Sequence, residues 1–92
     1  MMVDELHRWP NARSPFREGS CHLTTTGTLA ELHAFAARIG LRRAWFQDHP
    51  LAPHYDLTPR RRVAALAAGA AEVAAKEQAR RRIARRREEK TA

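Results

Sequence analysis

The sequence predicts an α/β domain of the α+β type: a small mixed β-sheet with two packed helices, followed by a basic C-terminal helix. Two helix-start signals, at Thr28 and Thr58, are separated by short segments of strand-like composition. Residues 75–90 are rich in alanine, lysine and arginine, which favour helix. A chain of 92 residues has room for a single domain. We assign residues 1–73 to this compact domain and residues 74–92 to a basic helix or tail.

The N-terminal part predicts two strands joined by a long loop. Residues 2–6 are apolar enough for a first strand, and residues 21–24 are predicted to form the second. Between them, residues 8–20 contain two prolines and a glycine and show no hydrophobic period, which is typical of a loop. Loops of this length are often lids, binding loops or disordered segments, and Trp9 is a candidate lid residue.

The first helix is the best-marked element. Thr28 and Glu31 form a capping box, in which the threonine hydroxyl accepts from the backbone N–H three residues on. Apolar residues follow at helical spacing, and Gly40 supplies a left-handed stop. Residues 41–47 and 54–57 are predicted to form two further strands on either side of a proline-bounded turn.

The second helix begins with Thr58 as its N-cap and Pro59 at the first helical position, where the missing N–H costs nothing. Gly69 is suited to end it. Residues 70–73 form either a short strand or a continuation of the helix. The helix predicted over residues 75–90 has a thin apolar stripe, so we expect little of it to pack on the core.

The charge of the chain is unevenly placed. The formal net charge is +7. Up to residue 59 there are six basic and six acidic side chains, whereas residues 60–92 carry eleven basic and four acidic ones. The body of the protein is therefore neutral, and the whole excess of positive charge belongs to the last third. A basic segment of this kind is a candidate for nucleic-acid contact.

Composition excludes several classes of protein. With Cys21 as its only cysteine, the chain can form no internal disulfide and no cysteine-based zinc site. Cys21 is expected to be a small buried hydrophobe, because adjacent strand residues point to opposite faces and it cannot pair with His22. No apolar run is long enough to span a bilayer, and the N-terminus does not resemble a secretory signal. We therefore expect a cytoplasmic protein with no membrane partner.

Several short motifs occur in an order and spacing that resemble a known family. They are Val3-Asp4, His22-Leu23, residues 31–36, residues 39–41, Trp45-Phe46-Gln47, residues 54–57 and Gly69-Ala70. Together they resemble the small bacterial and phage family catalogued as domain of unknown function 4031, over residues 2–73. The resemblance implies a bacterial or phage cytoplasmic protein. It implies no activity, because none is established for the family.

The start of the second helix has an unusual charge. Arg60, Arg61 and Arg62 fall in its first turn, where the helix dipole places about half a positive charge and disfavours cations. Either the arginines are solvated, or a negative group offsets them. Asp56 is one candidate, and a bound phosphate or carboxylate is another, because helix starts and arginine forks both suit phosphate.

Histidines and aspartates near the ends of the predicted elements suggest a second kind of chemistry. His54 and Asp56 are two residues apart, so in a strand they share a face. Together with His22 and His33 they are the candidate catalytic residues, for acid–base chemistry. No local metal-binding spacing occurs, so no metal or other cofactor is predicted; a single divalent ion held by these residues is the alternative. The candidate ligand-binding residues are Arg60, Arg61, Arg62, Thr58, Tyr55, Asp4 and Gln47.

Three functional interpretations follow. The leading one is a module that binds, or binds and hydrolyses, an anionic phosphorylated or nucleotide-like small ligand at this corner of histidine, aspartate and arginine. The second is a nucleic-acid-associated accessory protein acting through the tail. The third is a structural module that self-associates as a homo-oligomer. The nucleic-acid candidates are the tail arginines Arg80, Arg81, Arg82, Arg85, Arg86 and Arg87.

Overall fold

The computed structural model describes residues 1–8 and 18–91. Most of the loop predicted over residues 8–20, including the lid candidate Trp9, lies outside these ranges. The elements, in chain order, are β1 (Met2–Val3), β2 (Cys21–Thr24), α1 (Leu29–Arg38), a 3-10 turn (Arg43–Trp45), β3 (Phe46–Gln47), β4 (His54–Leu57), α2 (Pro59–Ala67), β5 (Ala71–Glu72) and α3 (Ala75–Thr91). The predicted α+β class is confirmed.

The strands of the described residues form a mixed sheet of five with the order β3-β4-β2-β1-β5. β1 and β5 pair in parallel, and the other neighbours pair antiparallel. In the β2–β4 pair His22 lies opposite Asp56, and in the β3–β4 pair Gln47 lies opposite His54. Since residues that face each other across antiparallel strands share a side of the sheet, this register gathers the polar side chains on one face.

The opposite face of the sheet carries the core. Along β4, Tyr55 and Leu57 are buried, whereas His54 and Asp56, which alternate with them, are half-buried. The buried side chains of the sheet pack with Leu32 of α1 and Ala65 of α2 in one apolar cluster. Strand alternation thus separates an apolar side, covered by both helices, from a polar side.

Both predicted helix starts are confirmed. The Thr28 hydroxyl oxygen accepts from the Glu31 backbone N–H at 3.1 Å, and the Thr58 hydroxyl oxygen accepts from the Arg61 backbone N–H at 3.3 Å. Gly40 follows α1 with φ +83°, the left-handed conformation that glycine adopts without strain. These local signals fix where the helices begin and end. Because β4 directly precedes the start of α2, they also help to fix the position of the β4 side chains.

Two predicted strands are shorter than expected. β1 ends at Val3 rather than Leu6, and directly after it the Asp4 side chain accepts from the His22 backbone N–H of β2. Within residues 41–47 only Phe46–Gln47 is extended; the residues before it form a 3-10 turn closed by the Trp45 N–H donating to the Arg42 carbonyl at 3.0 Å. The ambiguous segment 70–73 forms the short strand β5 beside β1.

α3 contacts the sheet at its start through Gln78, which alone is buried among the α3 side chains that the structure describes, so little of this helix packs on the core, as expected. Gln78 is 2% exposed. Its side-chain oxygen accepts from the Thr24 hydroxyl at 2.5 Å, and its amide donates to the Val73 carbonyl at 2.8 Å. The contact is polar, so hydrophobic periodicity gave no sign of it. Within the described ranges no helix is long and apolar enough to cross a membrane.

Replacing Gln78 with alanine is expected to loosen α3 without unfolding the domain. The substitution removes two buried hydrogen bonds, each contributing about 0.5–1.5 kcal/mol. Amide hydrogen exchange should become faster across residues 75–88 while α1 and β4 keep their protection. Lys76→Ala, an exposed change in the same helical turn, is the matched control. Unchanged exchange in α3 of the Gln78→Ala variant would show that other contacts hold the helix.

Candidate functional site

Five side chains meet on the polar face of the sheet and form what we call the histidine–aspartate cluster. It is made of Asp4, His7, His22, His54 and Asp56. The β2–β4 register places His22 opposite Asp56, and alternation along β4 places His54 on the same face. Asp4 directly follows β1, the strand beside β2. Three neighbouring strands therefore supply most of the cluster.

Asp4 is the buried anchor of the cluster, at 2% exposure. One carboxylate oxygen accepts from the His22 backbone N–H at 2.6 Å, and the other lies 2.7 Å from His22 Nδ1. Burial acts to raise the pKa of Asp4, but hydrogen bonds from the ring and backbone of His22 outweigh it, so the pKa lies below its ordinary value. Asp4 is therefore a carboxylate at neutral pH, and it fixes the orientation of the His22 ring.

His54 and Asp56 form the second interacting pair. His54 Nε2 lies 3.5 Å from Asp56 Oδ1, and His54 Nδ1 lies 2.7 Å from the Ala52 carbonyl oxygen. The hydrogen bond with Asp56 raises the pKa of His54, against the opposing effect of burial. The same hydrogen bond holds the pKa of Asp56 below its ordinary value. An imidazolium beside a carboxylate is thus favoured when no other cation is present.

The structure brings His22 and His54 together but leaves His33 apart. The His22 and His54 ring centroids are 4.9 Å apart, at an interplanar angle of 86°. His33 lies on the helical side of the sheet, where its Nδ1 is 2.8 Å from the Tyr55 hydroxyl. Because α1 packs on the apolar face, His33 does not reach the cluster. Tyr55, a predicted ligand-binding residue, is likewise 1% exposed and lies on the core side.

His7 is a member of the cluster that the sequence reasoning missed. Its Nε2 lies 3.7 Å from Asp4 Oδ2 and 3.5 Å from Glu5 Oε1. An isolated bridge between His7 and Ser20 holds the backbone there. The signal in the sequence was the presence of Asp4, Glu5 and His7 within four residues, which the prediction of a strand through residue 6 obscured.

A small cleft of about 240 Å³ opens over the cluster. It is lined by Asp4, His22, Thr24, His49, Ala52, His54, Ala75, Gln78 and Arg82. Arg82 reaches this cleft because Gln78 anchors α3 one turn earlier. Arg82 belongs to the basic helix, which the sequence suggested only for nucleic acid, yet it lines the same cleft as His22 and His54. His49 was assigned to a turn, and nothing in its local sequence marked it as a lining residue.

A larger cleft of about 770 Å³ lies at the start of α2. Its apolar wall consists of Ile39, Leu41, Ala44, Trp45 and Ala64. Its polar lining consists of Gln47, Asp56, Thr58, Arg60 and Arg61. Asp56 thus belongs to both the histidine–aspartate cluster and the larger cleft.

The arginine triplet divides among different partners. Arg61 donates from Nη1 to the Ile39 carbonyl at 3.0 Å and stacks over Trp45 at 5.6 Å from the ring centroid. Arg62 donates to the Asp4 carbonyl at 3.0 Å and pairs with Glu72 at 2.8 Å. The counter-charge of Arg62 is therefore Glu72 and not Asp56, and Arg62 lines neither cleft. Arg60 and Arg61 remain on the larger cleft.

The other tail arginines make contacts within the chain. Arg80 and Arg81 lie 3.8 and 3.5 Å from the Glu77 carboxylate. Arg85 donates to the Thr26 carbonyl, and Arg86 donates to the Leu51 carbonyl at 3.1 Å. These contacts are exposed, so each stabilises the fold little.

Cys21 takes no part in either cleft. It is fully buried, and burial raises the pKa of its thiol to about 12. A neutral buried thiol is not a nucleophile. The prediction that Cys21 serves as a small buried hydrophobe is confirmed.

The fold and site together define a class: a small α+β domain whose sheet is covered by helices on one face and carries a histidine–aspartate cluster on the other. The chain belongs to the family described as protein of unknown function DUF4031, which matches residues 1–86. The match extends beyond residues 2–73, which carried the resemblance, into the basic helix. No curated protein and no solved structure matches the chain.

Proposed function

We propose that this domain binds an anionic, phosphorylated small molecule in the larger cleft. The phosphate would lie at the arginines at the start of α2, and the rest of the molecule along the apolar wall. The observation that carries the proposal is the composition of the cleft lining, which combines Trp45 and aliphatic side chains with the guanidinium groups of Arg60 and Arg61. Small-molecule sites commonly combine an apolar wall with a few polar groups that fix orientation.

The geometry of the arginines supports an anion at this end. Arg61 is held by its bond to the Ile39 carbonyl and by stacking on Trp45, so its remaining N–H donors are preorganised. Arg60 is exposed at the same cleft. A phosphate here would receive forked guanidinium donors and the positive end of the α2 dipole. It would also offset the unfavourable position of cations in the first helical turn.

The carboxylate of Asp56 faces the same cleft and would repel an anion if its charge were uncompensated. A proton on His54 would compensate it, and the hydrogen bond between the two side chains favours that proton by raising the pKa of His54. A phosphate could then approach Arg60 beside a neutral Asp56–His54 pair. Asp56 also places the histidine–aspartate cluster next to the ligand, where acid–base chemistry on the phosphorylated group would take place.

Titration calorimetry on the full chain tests this proposal. We expect adenosine monophosphate and ribose 5-phosphate to bind, and adenosine to bind about tenfold or more weakly, because a charge-assisted bond contributes about 1.5–3 kcal/mol. Arg60→Ala should weaken binding of both phosphates by a similar factor. Arg38→Ala removes the same charge from an exposed position on α1 and should leave affinity unchanged.

Two results would contradict the proposal. Equal weakening by Arg60→Ala and Arg38→Ala would reduce the effect to general electrostatics. Binding of duplex DNA in preference to the small phosphates, with affinity falling steeply with salt, would favour the nucleic-acid interpretation and the tail arginines.

A further inference from the structure

Three electron-rich atoms converge at the centre of the histidine–aspartate cluster. Asp56 Oδ1 lies 3.5 Å from His54 Nε2 and 3.9 Å from His22 Nε2. The two imidazole rings meet edge to face, so both Nε2 atoms approach the same carboxylate oxygen. Each of the three residues offers an atom within 4.8 Å of the other two.

The hydrogen bonds on the far side of each ring fix the tautomers. His22 Nδ1 faces the buried carboxylate of Asp4 at 2.7 Å, and His54 Nδ1 faces the Ala52 carbonyl at 2.7 Å. A carboxylate and a carbonyl only accept, so both Nδ1 atoms must donate. In the neutral rings each Nε2 then carries a lone pair. Two nitrogen lone pairs and a carboxylate oxygen then face one another, and either a proton on an Nε2 atom or a metal ion between the three atoms would relieve their repulsion.

We propose that His22, His54 and Asp56 bind one divalent ion of the zinc class through His22 Nε2, His54 Nε2 and Asp56 Oδ1. Two ligand atoms bonded to zinc at about 2.0–2.1 Å with tetrahedral angles are about 3.4 Å apart. The distances to Asp56 Oδ1 are close to that value, and small side-chain rotations would suffice. Two imidazoles and one carboxylate with an open fourth position are the ligand set of catalytic zinc sites.

The neighbouring set of Asp4, His7 and His22 is a weaker alternative. It would use His22 Nδ1, which lies 2.7 Å from Asp4 Oδ2. That separation is typical of a hydrogen bond and is shorter than the distance of about 3.4 Å between two ligand atoms on a tetrahedral zinc ion. Asp4 instead accepts from His22 Nδ1, on the side of the ring away from the proposed ion. Such a hydrogen bond would orient the ring and raise the basicity of His22 Nε2, the proposed ligand atom.

The surroundings leave the proposed ion accessible. His22 and His54 both line the small cleft, whose volume of about 240 Å³ leaves room for water or part of a ligand at the open coordination position. Arg82 lines the same cleft and would attract an anion that binds the metal. Asp56 faces the larger cleft, so the ion would lie between the two clefts. The metal site needs no organic ligand and stands independently of the function proposed above.

Metal titration of the full chain, after removal of bound ions with a chelator, tests the site. We expect one Zn²⁺ per chain by calorimetry, and Co²⁺ absorption bands typical of nitrogen and oxygen ligation. His54→Ala and Asp56→Asn should each weaken Zn²⁺ binding more than about 100-fold, and Asp4→Asn about 10–100-fold because it frees the His22 tautomer. Both ligand positions are partly exposed, so these variants should fold, which thermal unfolding without metal will check.

Control variants distinguish this site from the neighbouring set and from a general loss of histidine. His33→Gln, on the opposite face of the sheet, should leave Zn²⁺ affinity unchanged. Arg60→Ala should also leave it unchanged even if it abolishes phosphate binding, so the two proposals can fail separately. Loss of Zn²⁺ binding in His7→Ala but not in His54→Ala would assign the ion to the other set. That result would overturn the proposal. So would a His33→Gln variant that weakens Zn²⁺ binding as much as His54→Ala does, and so would failure of the unaltered protein to bind Zn²⁺.

Discussion

Replacing Tyr55 with alanine is expected to lower the free energy of unfolding by about 3–5 kcal/mol, the usual cost of truncating a large buried aromatic side chain. Tyr55 is 1% exposed and heads the fully buried side chains by size. Its ring centroid lies 5.5 Å from that of Phe46 in β3 and 5.9 Å from that of His33 in α1, so its removal opens a cavity between the sheet and α1. Small domains have total stabilities near the lower end of about 5–15 kcal/mol, so the variant should be close to unfolding.

Urea unfolding followed by circular dichroism measures this effect, and Tyr55→Phe is the matched control. The phenylalanine variant keeps the ring and loses only the hydroxyl contact with His33 at 2.8 Å. Its expected cost is about 0.5–1.5 kcal/mol. If the alanine variant were no less stable than the phenylalanine variant, Tyr55 would not be at the centre of the core.

Local chemistry made the helices predictable. Thr28, Thr58 and Gly40 act on backbone groups within four residues, so their roles can be derived without knowing the tertiary structure. The period of a strand likewise placed His54 and Asp56 on one face. The expectation that Asp56 or a bound anion would offset all three arginines of α2 depended on distant partners, and it failed for Arg62. Arg62 bonds with Asp4 and Glu72, and no local rule pairs those positions.

The candidate site shows the same division. Sequence reasoning selected His22, His54, Asp4 and Asp56, all of which the structure brings together. It also selected His33, because a helix pattern indicates partial burial but not the side of the sheet on which the helix packs. Arg82 was assigned to a tail because the anchor of α3 is a buried glutamine, which hydrophobic patterning cannot detect.

Asp56 lines the larger cleft and also belongs to the histidine–aspartate cluster, and this gives the proposals a common physical basis. A carboxylate facing a cleft for anions is unfavourable unless a cation accompanies it. In the metal-free protein a proton on His54 would supply that charge, because the hydrogen bond with Asp56 raises the pKa of His54, and a divalent ion would supply more of it. Protons and metal therefore compete at His54, and Zn²⁺ affinity should be lower at acidic than at neutral pH.

Replacing Asp4 with alanine is expected to lower the free energy of unfolding of the metal-free protein by about 2–4 kcal/mol at pH 7. The change removes two hydrogen bonds to a buried carboxylate, each of a charged kind that contributes about 1.5–3 kcal/mol. It leaves the His22 backbone N–H, bonded at 2.6 Å, without its partner. The junction between the end of β1 and β2 would then be held mainly by its backbone ladder.

Urea unfolding in the presence of a chelator gives the measurement, and Glu5→Ala is the matched control. Glu5 is the adjacent carboxylate, is about half exposed, and accepts from the Ala75 N–H at the start of α3 at 3.1 Å. Its loss should cost about 1 kcal/mol. Asp4→Asn keeps the shape of the side chain and should fall between the two. Asp4→Ala and Glu5→Ala could instead lower the free energy of unfolding equally. The buried Asp4 carboxylate would then stabilise the fold no more than an exposed one, which would argue against a strong hydrogen bond from Asp4 that fixes the tautomer of His22.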